Sequence, residues 1–279
     1  MKTHGSSMMG LLLGGALLVS PSPAQTKPSE RPGTRPFPVR SHGVLQKKDL
    51  SRIVFIGASV SDGFGNGLPP SVLAQRVLKD RGFKILRFTS SLFFMQPLKI
   101  GPLQMRRALK AKPTLLIGID FLFWFGYGWM NKDARMKRLE KGLALLDQFP
   151  GKILVGNLPD MHGADPRMLA PRQIPAVGTL KTMNDRIAQW VKKRPRVRLF
   201  DLSAHVDRMR KKGIVLPSRD KRVRPRRISA KELMSKDRLH PSKQGVRYLL
   251  HLVLGSLERW GGSALKASLA WDFAEAMKD

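Results

Sequence analysis

The 279-residue chain carries 51 Lys and Arg residues against 20 Asp and Glu residues, a formal net charge of +31 at pH 7. Such a positive field attracts anionic polymers and lipid surfaces without selecting among them. Because the chain has no cysteine, disulfide bonds, thiol catalysis and lipid attachment to a cysteine are excluded.

The N-terminal residues 1–24 have the features of a secretory signal peptide. Lys2 precedes an apolar stretch from Met8 to Val19, and Ser22-Pro23-Ala24 provides small residues for cleavage. The apolar stretch is short for a membrane span, and an uncleaved anchor is the alternative interpretation. Residues 25–45 are rich in Pro, Ser, Thr and Arg, which predicts a flexible basic lead-in.

Residues 46–262 alternate strand-like and helix-like segments, the pattern of a parallel sheet with helices on both faces. The predicted strands are Ile53–Ile56, Phe83–Phe88, Thr114–Ile119, Ile153–Val155 and Val197–Leu202. The predicted helices are Pro70–Arg81, Pro102–Lys110, Lys132–Phe149, Leu180–Lys193 and Pro241–Trp260. The expected fold is an α/β three-layer sandwich around a five-stranded parallel sheet, and residues 263–279 are expected to form a tail or a short helix.

A glycine-flanked serine follows the first predicted strand. Ile53 to Ile56 are continuously apolar, as in a strand that is covered on both faces. The next three residues are Gly57-Ala58-Ser59. Ser59 is therefore expected at the carboxyl end of the strand, where open α/β sheets bind their ligands.

An acid and a base stand together near the end of the predicted domain. Asp237 and His240 are three residues apart, and Pro241 suits the start of the last helix. A serine hydroxyl becomes an effective nucleophile when an imidazole takes its proton and a carboxylate orients that imidazole. Ser59, His240 and Asp237 can fill these three roles.

These two stretches resemble blocks of the SGNH (GDSL-type) hydrolase family. Gly57-Ala58-Ser59-Val60-Ser61-Asp62-Gly63 is similar to its Gly-Asp-Ser nucleophile block, with Ala58 in place of the Asp, and Asp237-Arg238-Leu239-His240-Pro241 is similar to its Asp-x-x-His block. The resemblance extends over residues 50–260 through the order of elements. It implies a flavodoxin-like architecture and ester hydrolysis through an acyl-enzyme, without a metal or an organic cofactor.

The sequence departs from the family pattern at the expected oxyanion hole. Asp120, in Gly118-Ile119-Asp120-Phe121, stands where the family has an Asn that donates to the oxyanion. An ionised carboxylate would repel the oxyanion, whereas a protonated Asp would donate to it but requires a raised pKa. Ser90 and Ser91 stand where a family glycine is expected. The candidates for the hole are therefore the N–H of Ser59, Ser90, Ser91 and Asp120, while the structural alternative for Asp120 is a bond to nearby loop amides.

Other residues have competing structural interpretations. Ser59 could tighten a glycine-rich turn, and Asp237 or His240 could cap the last helix. The aromatic run 121–129 predicts packing, with an apolar wall for an acyl chain or a stacking surface for a sugar as the functional alternative. His162, which follows the fourth strand, is expected in a loop, and no chemistry is assigned to His205 and His251. No spacing of His and acidic residues indicates a metal site.

The densest basic segment leads into the region of Asp237 and His240. It runs from Arg208 to Arg227 and contains Arg208, Arg210, Lys211, Lys212, Arg219, Lys221, Arg222, Arg224, Arg226 and Arg227. Its functional interpretation is guidance of an acidic substrate to the nucleophile, and its structural alternative is a solvated basic loop. The segment contains no aromatic residue, which argues against a stacking platform for single-stranded nucleic acid.

The sequence favours an exported serine ester hydrolase, periplasmic or secreted, that acts on a small acyl or carbohydrate acyl ester. The first alternative is a catalytically weakened protein of similar fold that binds an anionic cell-envelope polymer, with attraction to a membrane surface as a related expectation. A nucleotide-binding α/β domain is the second alternative. It is disfavoured because Gly63-x-Gly65-x-Gly67 lacks the Gly-Lys-Ser/Thr ending of a phosphate loop. Nucleic acid is not an expected physiological partner of an exported protein.

Overall fold

A five-stranded parallel sheet forms the centre of the molecule in the computed structural model, which describes residues 43–216 and 225–277. Its strands are β1 (Arg52–Gly57), β2 (Lys84–Thr89), β3 (Leu115–Gly118), β4 (Lys152–Gly156) and β5 (Val197–Phe200). They lie in the order β2-β1-β3-β4-β5, which is the flavodoxin-like, doubly wound order. The predicted five-stranded α/β sandwich is confirmed. The expected signal peptide and the lead-in up to residue 42 lie outside the described residues.

Eleven named α-helices surround the sheet in the described residues. They are α1 (Ser59–Asp62), α2 (Pro70–Val77), α3 (Pro97–Lys110), α4 (Phe123–Gly126), α5 (Lys132–Asp147), α6 (Val177–Lys192), α7 (Leu202–Lys211), α8 (Ala230–Leu233), α9 (Lys243–Gly261), α10 (Ser263–Leu269) and α11 (Phe273–Ala276). Short 3-10 helices lie at Lys47–Leu50, Lys79–Arg81, Ser91–Phe94 and Pro171–Gln173. No helix among the described residues combines the length and apolar character needed to cross a bilayer.

The central strand β1 is apolar at every interior position because helices cover both faces of the sheet. Ile53 and Phe55 belong to a core shared with α2, α7 and α9. Val54 and Ile56 point the other way, into a core shared with α3, α5 and α6. This alternation produces two separate apolar layers, and it fixes the carboxyl end of β1 between them.

The two ends of the described chain are packed against the sandwich. Leu45 is buried and its N–H donates to the carbonyl oxygen of Trp260, with an N···O distance of 3.3 Å. After α9, the side chains of Leu265, Leu269 and Met277 are buried in the core that includes α9. The segment after residue 262 therefore contributes apolar surface to the domain.

Two local predictions were wrong. Helix α3 starts at Pro97 instead of Pro102, and Pro102 lies inside it. Proline was taken as a helix start because it lacks an N–H, but the apolar face of α3 outweighs the loss of one hydrogen bond. Residues after β5 were predicted as a basic loop, yet they form α7 and an antiparallel hairpin of β6 (Ile214–Leu216) and β7 (Arg226–Ile228). Residues 217–224, which contain Arg219, Lys221, Arg222 and Arg224, lie outside the described residues.

Candidate active site

Ser59 lies directly beyond the carboxyl end of β1, at the first position of the short helix α1. The backbone turns sharply at Gly57, whose φ of 151° is in the region that favours glycine. A Cβ atom at Gly57 would stand 2.0 Å from Oδ1 of Asp120 and 2.7 Å from Oγ of Ser61. The turn that presents Ser59 therefore requires glycine at position 57.

Gln104, a residue that the sequence reasoning missed, holds the backbone of this turn from α3. Its Oε1 accepts from the N–H of Gly57 at 3.0 Å, and its Nε2 donates to the carbonyl oxygen of Gly57 at 2.9 Å. Gln104 is buried, so both polar ends of its side chain need these partners. A polar residue on the apolar face of α3 was the available sequence signal.

The structure brings together the three residues that the sequence assigned to the chemistry. Nε2 of His240 is 3.0 Å from Oγ of Ser59, and Nδ1 of His240 is 2.7 Å from Oδ2 of Asp237. With a proton on Nδ1, the imidazole donates to Asp237 and accepts from the Ser59 hydroxyl. This is the arrangement of a nucleophile, a general base and an orienting acid.

The carboxylate of Asp237 also shapes the loop that carries His240. Its Oδ1 accepts from the N–H groups of Leu239 at 2.9 Å and His240 at 3.0 Å. Burial by itself would raise the pKa of the Asp237 carboxyl, but the hydrogen bonds from His240 and Leu239 hold the pKa below its ordinary value. Asp237 therefore remains ionised at neutral pH, as a partner for an imidazolium requires.

Contacts from three other segments fix this loop. Met234 forms an isolated antiparallel bridge with Pro241, and Nδ2 of Asn66 donates to the carbonyl oxygen of Pro241 at 2.9 Å. The N–H of Asp165 donates to the carbonyl oxygen of Asp237 at 2.8 Å. The ring of Phe64 lies 4.8 Å from that of His240, measured between centroids. The imidazole is thereby positioned before any ligand binds.

Asp120 contacts the nucleophile helix as a hydrogen-bond acceptor. Its Oδ2 accepts from the N–H groups of Val60 at 3.0 Å and Ser61 at 3.1 Å, and its Oδ1 accepts from the hydroxyl of Ser61 at 2.6 Å. Burial raises the pKa of the Asp120 carboxyl despite these hydrogen bonds. The contacts match the structural alternative for Asp120, a bond to neighbouring amides, because all three groups donate to it.

Ser91 was expected to help the oxyanion hole, but its donors are engaged elsewhere. Its N–H and its hydroxyl both donate to Oδ2 of Asp62, at 2.9 and 2.7 Å. Asp62 also accepts from the hydroxyl of Thr89 at 2.7 Å, and these hydrogen bonds outweigh burial and lower the pKa of its carboxyl. Asp62, which the sequence reasoning gave no role, thus ties α1 to the end of β2. Its place inside the nucleophile block was the available signal.

Two of the expected oxyanion donors remain available within the described residues. The N–H of Ser59, at the start of α1, has no hydrogen-bond acceptor there, as is typical of the first turn of a helix. The N–H of Ser90 donates to the carbonyl oxygen of Gly57 at 3.1 Å, and its Oγ accepts from Leu92 at 3.2 Å. The hydroxyl proton of Ser90 is not used in these bonds, so the hydroxyl can still donate.

A small enclosed cavity of about 30 Å³ adjoins Ser59 and His240. Its walls are largely apolar and include Phe123, Trp124, Met161, Val206, Met209 and Leu239. A cavity of this size holds about two water-sized groups. It therefore suits a short apolar substituent and is too small for a long hydrocarbon chain.

The aromatic run fulfils both interpretations given to it. Phe121, Phe125 and Tyr127 are fully buried, whereas Phe123 and Trp124 line the cavity. Trp129 is the exception, with 66 % of its surface exposed. The run therefore provides packing and one wall of the cavity.

The remaining histidines lie in other environments. Nδ1 of His162 contacts Oδ1 of Asp160 at 2.6 Å in an exposed loop, His205 packs on Phe200, and His251 stacks on the ring of Phe273. Within residues 43–216 and 225–277, no group of three or more His, Cys, Asp or Glu side chains could hold a metal ion.

No protein-family model and no curated protein matches the sequence. A search of solved structures found similar folds at low sequence identity. A catalytic mutant of an acetylxylan esterase from Geobacillus stearothermophilus is 16% identical, with a TM-score of 0.49 over 74% of this chain and 94% of that one. A GDSL-like lipase from Bacteroides thetaiotaomicron is 17% identical, with a TM-score of 0.48 over 78% of this chain and 94% of that one. The function is therefore argued from the side chains of this protein.

Proposed function

We propose that this protein is a serine ester hydrolase of the SGNH type that acts through an acyl-enzyme. The observation that carries the proposal is the continuous chain of contacts from Ser59 to His240 to Asp237, with distances of 3.0 and 2.7 Å. The resemblance of the two sequence blocks that contain these residues supports the same assignment.

In the first half of the reaction, Oγ of Ser59 attacks the ester carbonyl carbon while its proton passes to Nε2 of His240. The tetrahedral intermediate collapses, the bond from carbon to the alcohol oxygen breaks, and His240 returns the proton to the departing alcohol. In the second half, water attacks the acyl-enzyme, and His240 takes the proton of the water and gives it to Oγ of Ser59. The products are one alcohol and one carboxylic acid.

The N–H of Ser59 and the hydroxyl of Ser90 are the proposed donors to the oxyanion. Asp120 is proposed as a positioning residue, since it accepts from Val60 and Ser61 and so holds the helix that presents Ser59. An oxyanion hole with fewer side-chain donors stabilises the transition state less, because each donor contributes on the order of 3 kcal/mol.

The acyl group is proposed to be short. The cavity beside Ser59 has about 30 Å³ and apolar walls, which favours the methyl of an acetyl group over a longer chain. A carbohydrate as the alcohol portion, and export as the location, remain proposals from the sequence of residues 1–24 and from the high positive charge.

The test is covalent labelling of the purified protein with a serine-reactive fluorophosphonate, with the adduct located by mass spectrometry. We expect an adduct on Ser59 that is lost in Ser59→Ala and in His240→Ala. Ser235→Ala, in the same loop as His240, is the control and should label like the wild type. An absence of labelling in folded wild-type protein would refute the esterase assignment.

The second candidate is a binding protein for an anionic cell-envelope polymer. Asp120, which takes the place of the family Asn, acts here as an acceptor, and this feature favours weak catalysis. Under this alternative, Ser59→Ala would bind the polymer as well as the wild type does, and salt would weaken binding steeply.

A further inference from the structure

A basic groove lies on the other side of the loop that carries Asp237 and His240. We define it by Arg210, Lys231, Lys236 and Arg238, and its remaining walls come from Ala230, Met234 and Ser235. It is open and has a volume of about 620 Å³. Within the described residues, no acidic side chain lines it.

Two guanidinium groups of the basic groove converge on one point. A Cβ atom placed on Gly163 would stand 3.8 Å from Nη2 of Arg210 and 3.9 Å from both Nη1 and Nη2 of Arg238. Burial, and then repulsion by Arg238, lower the pKa of Arg210. Two like charges held this close favour an anion between or beside them.

Arg210 is fixed in place without being neutralised by its hydrogen bonds. Its Nη1 donates to the backbone carbonyl oxygen of Asp160 and its Nη2 to that of His162, both at 2.7 Å. Carbonyl oxygens orient a guanidinium but carry no net charge. Its Nε is buried and has no partner among the described residues.

The other cations of the groove have no protein partner. Among the described residues, the side chains of Arg238, Lys231 and Lys236 form no ion pair or hydrogen bond. The backbone of Arg238 has a φ of 54°, which is uncommon for a residue other than glycine. Such conformations are concentrated at ligand-binding and catalytic positions.

Neighbouring acids are already committed to other groups. The carboxylate of Asp237 binds His240, that of Asp160 contacts His162, and that of Asp207 pairs with Lys211. These carboxylates reduce the local potential, but their own partners offset part of their charge. The cations of the basic groove therefore remain available to an external anion.

We propose that the basic groove binds an anionic oxygen group, a carboxylate or a phosphate, on the alcohol portion of the ester substrate. This inference rests on the proposed function for the position of the ester. Met234 lines both the groove and the cavity beside Ser59. With the acyl group in the cavity, the alcohol extends outward and its anionic group reaches Arg238 and Lys236. The substrate class is thus an acylated acidic saccharide or an acylated sugar phosphate.

The first arm of the test measures binding without catalysis. Ser59→Ala protein is titrated calorimetrically at low salt with methyl glucuronoside, with glucose 6-phosphate and with neutral methyl glucoside. We expect binding of at least one anionic sugar that is tenfold or more tighter than binding of the neutral sugar, since hydrogen bonds to charged groups contribute about 1.5–3 kcal/mol. The comparison of carboxylate and phosphate identifies which anion the groove prefers.

A matched pair of variants separates the groove from the net charge of the whole protein. Lys236→Gln with Arg238→Gln removes two charges from the basic groove. Arg81→Gln with Lys84→Gln removes the same two charges near the start of β2, at the opposite edge of the sheet. We expect the groove variant to lose about tenfold or more in affinity for the anionic sugar and the control variant to lose little. Equal losses would overturn the proposal.

The second arm measures kcat/KM of the wild type for acetylated methyl glucuronoside, acetylated glucose 6-phosphate and acetylated methyl glucoside. We expect an anionic ester to be preferred by about tenfold or more, and the groove variant to bring that ratio towards one. Hydrolysis of neutral and anionic esters at equal kcat/KM, without anion binding by Ser59→Ala, would overturn the groove while the esterase remains. Anion binding without any ester hydrolysis would instead refute the esterase and leave the groove as an anion site. Thermal unfolding of each variant verifies that it is folded.

Discussion

The cavity beside Ser59 and the basic groove share Met234 but differ in every physical property that matters for binding. The cavity is enclosed and apolar, at about 30 Å³, whereas the groove is open and cationic, at about 620 Å³. Exclusion of water strengthens electrostatic interactions around Ser59 and His240. Water in the groove weakens each ionic contact, so several cations are needed to hold one anion. The comparison suggests that chemistry and choice of alcohol are divided between the two sides of one loop.

The largest expected effect comes from Asp237→Asn, which should impair the chemistry of the cavity side without filling or enlarging the cavity. An amide cannot stabilise the imidazolium and favours the wrong tautomer, so kcat should fall by about 10⁴-fold. The measurement is hydrolysis of a short neutral ester. Asp165→Asn is the control, since its carboxylate pairs with Arg167. A loss of less than tenfold in Asp237→Asn would contradict the assigned role.

Val206→Ala should widen the cavity and change the preferred acyl group. Val206 is partly buried and lines the cavity, and each methylene in an apolar pocket contributes about 1–3 kcal/mol to discrimination. The ratio of kcat/KM for butyryl over acetyl esters should rise by about tenfold. Val177→Ala, at an exposed position, should leave the ratio unaltered. An unchanged ratio in Val206→Ala would show that the acyl group lies elsewhere.

Salt should affect the two recesses unequally. Exposed charges are screened over about 10 Å at 0.1 M salt and about 3 Å at 1 M. The preference for an anionic over a neutral ester should therefore decrease several-fold between these concentrations, while hydrolysis of the neutral ester changes less. The measurement is kcat/KM for both esters across the salt series. A preference that persists at 1 M would contradict binding by the open groove.

The smallest expected effect concerns Asp120, beneath the nucleophile helix. A carboxyl whose pKa is raised in the folded state stabilises the fold below its unfolded pKa of about 4 and loses that contribution as the pH rises through the folded pKa. Asn at this position does not titrate. The melting temperature of Asp120→Asn relative to the wild type should therefore increase by a few degrees from pH 4 to pH 8. A relative decrease would show that the ionised carboxylate is the form that the fold requires.

Asp120→Asn also tests the oxyanion hole. An amide retains one acceptor oxygen for Val60 and Ser61 and adds a donor. A large rise in the esterase rate would indicate that the native carboxylate limits catalysis, and a collapse would show a specific need for the acid. The measurement is kcat for a short neutral ester.

Local patterns were sufficient to predict the sheet and the three residues proposed for the chemistry. The uninterrupted apolar strands required cover on both faces, and the spacing of Asp237 and His240 indicated a loop next to the last helix. Pro102 and α7 show the limit of such patterns, because the packing of an apolar face outweighed the local preference in both cases. Gln104 was missed because a glutamine in a helix has no local signal for its distant partner, Gly57.

The sequence by itself determined the order of strands and helices, the two motif blocks and the positive charge, since each of these follows from neighbouring residues or from composition. Only the tertiary structure decided what Asp120 contacts, that Ser91 donates to Asp62, and that Arg210 and Arg238 meet beside Gly163. Those outcomes depend on distances between residues that are far apart in the chain. Chain spacing does not determine such distances, because they arise only when the helices pack on the sheet.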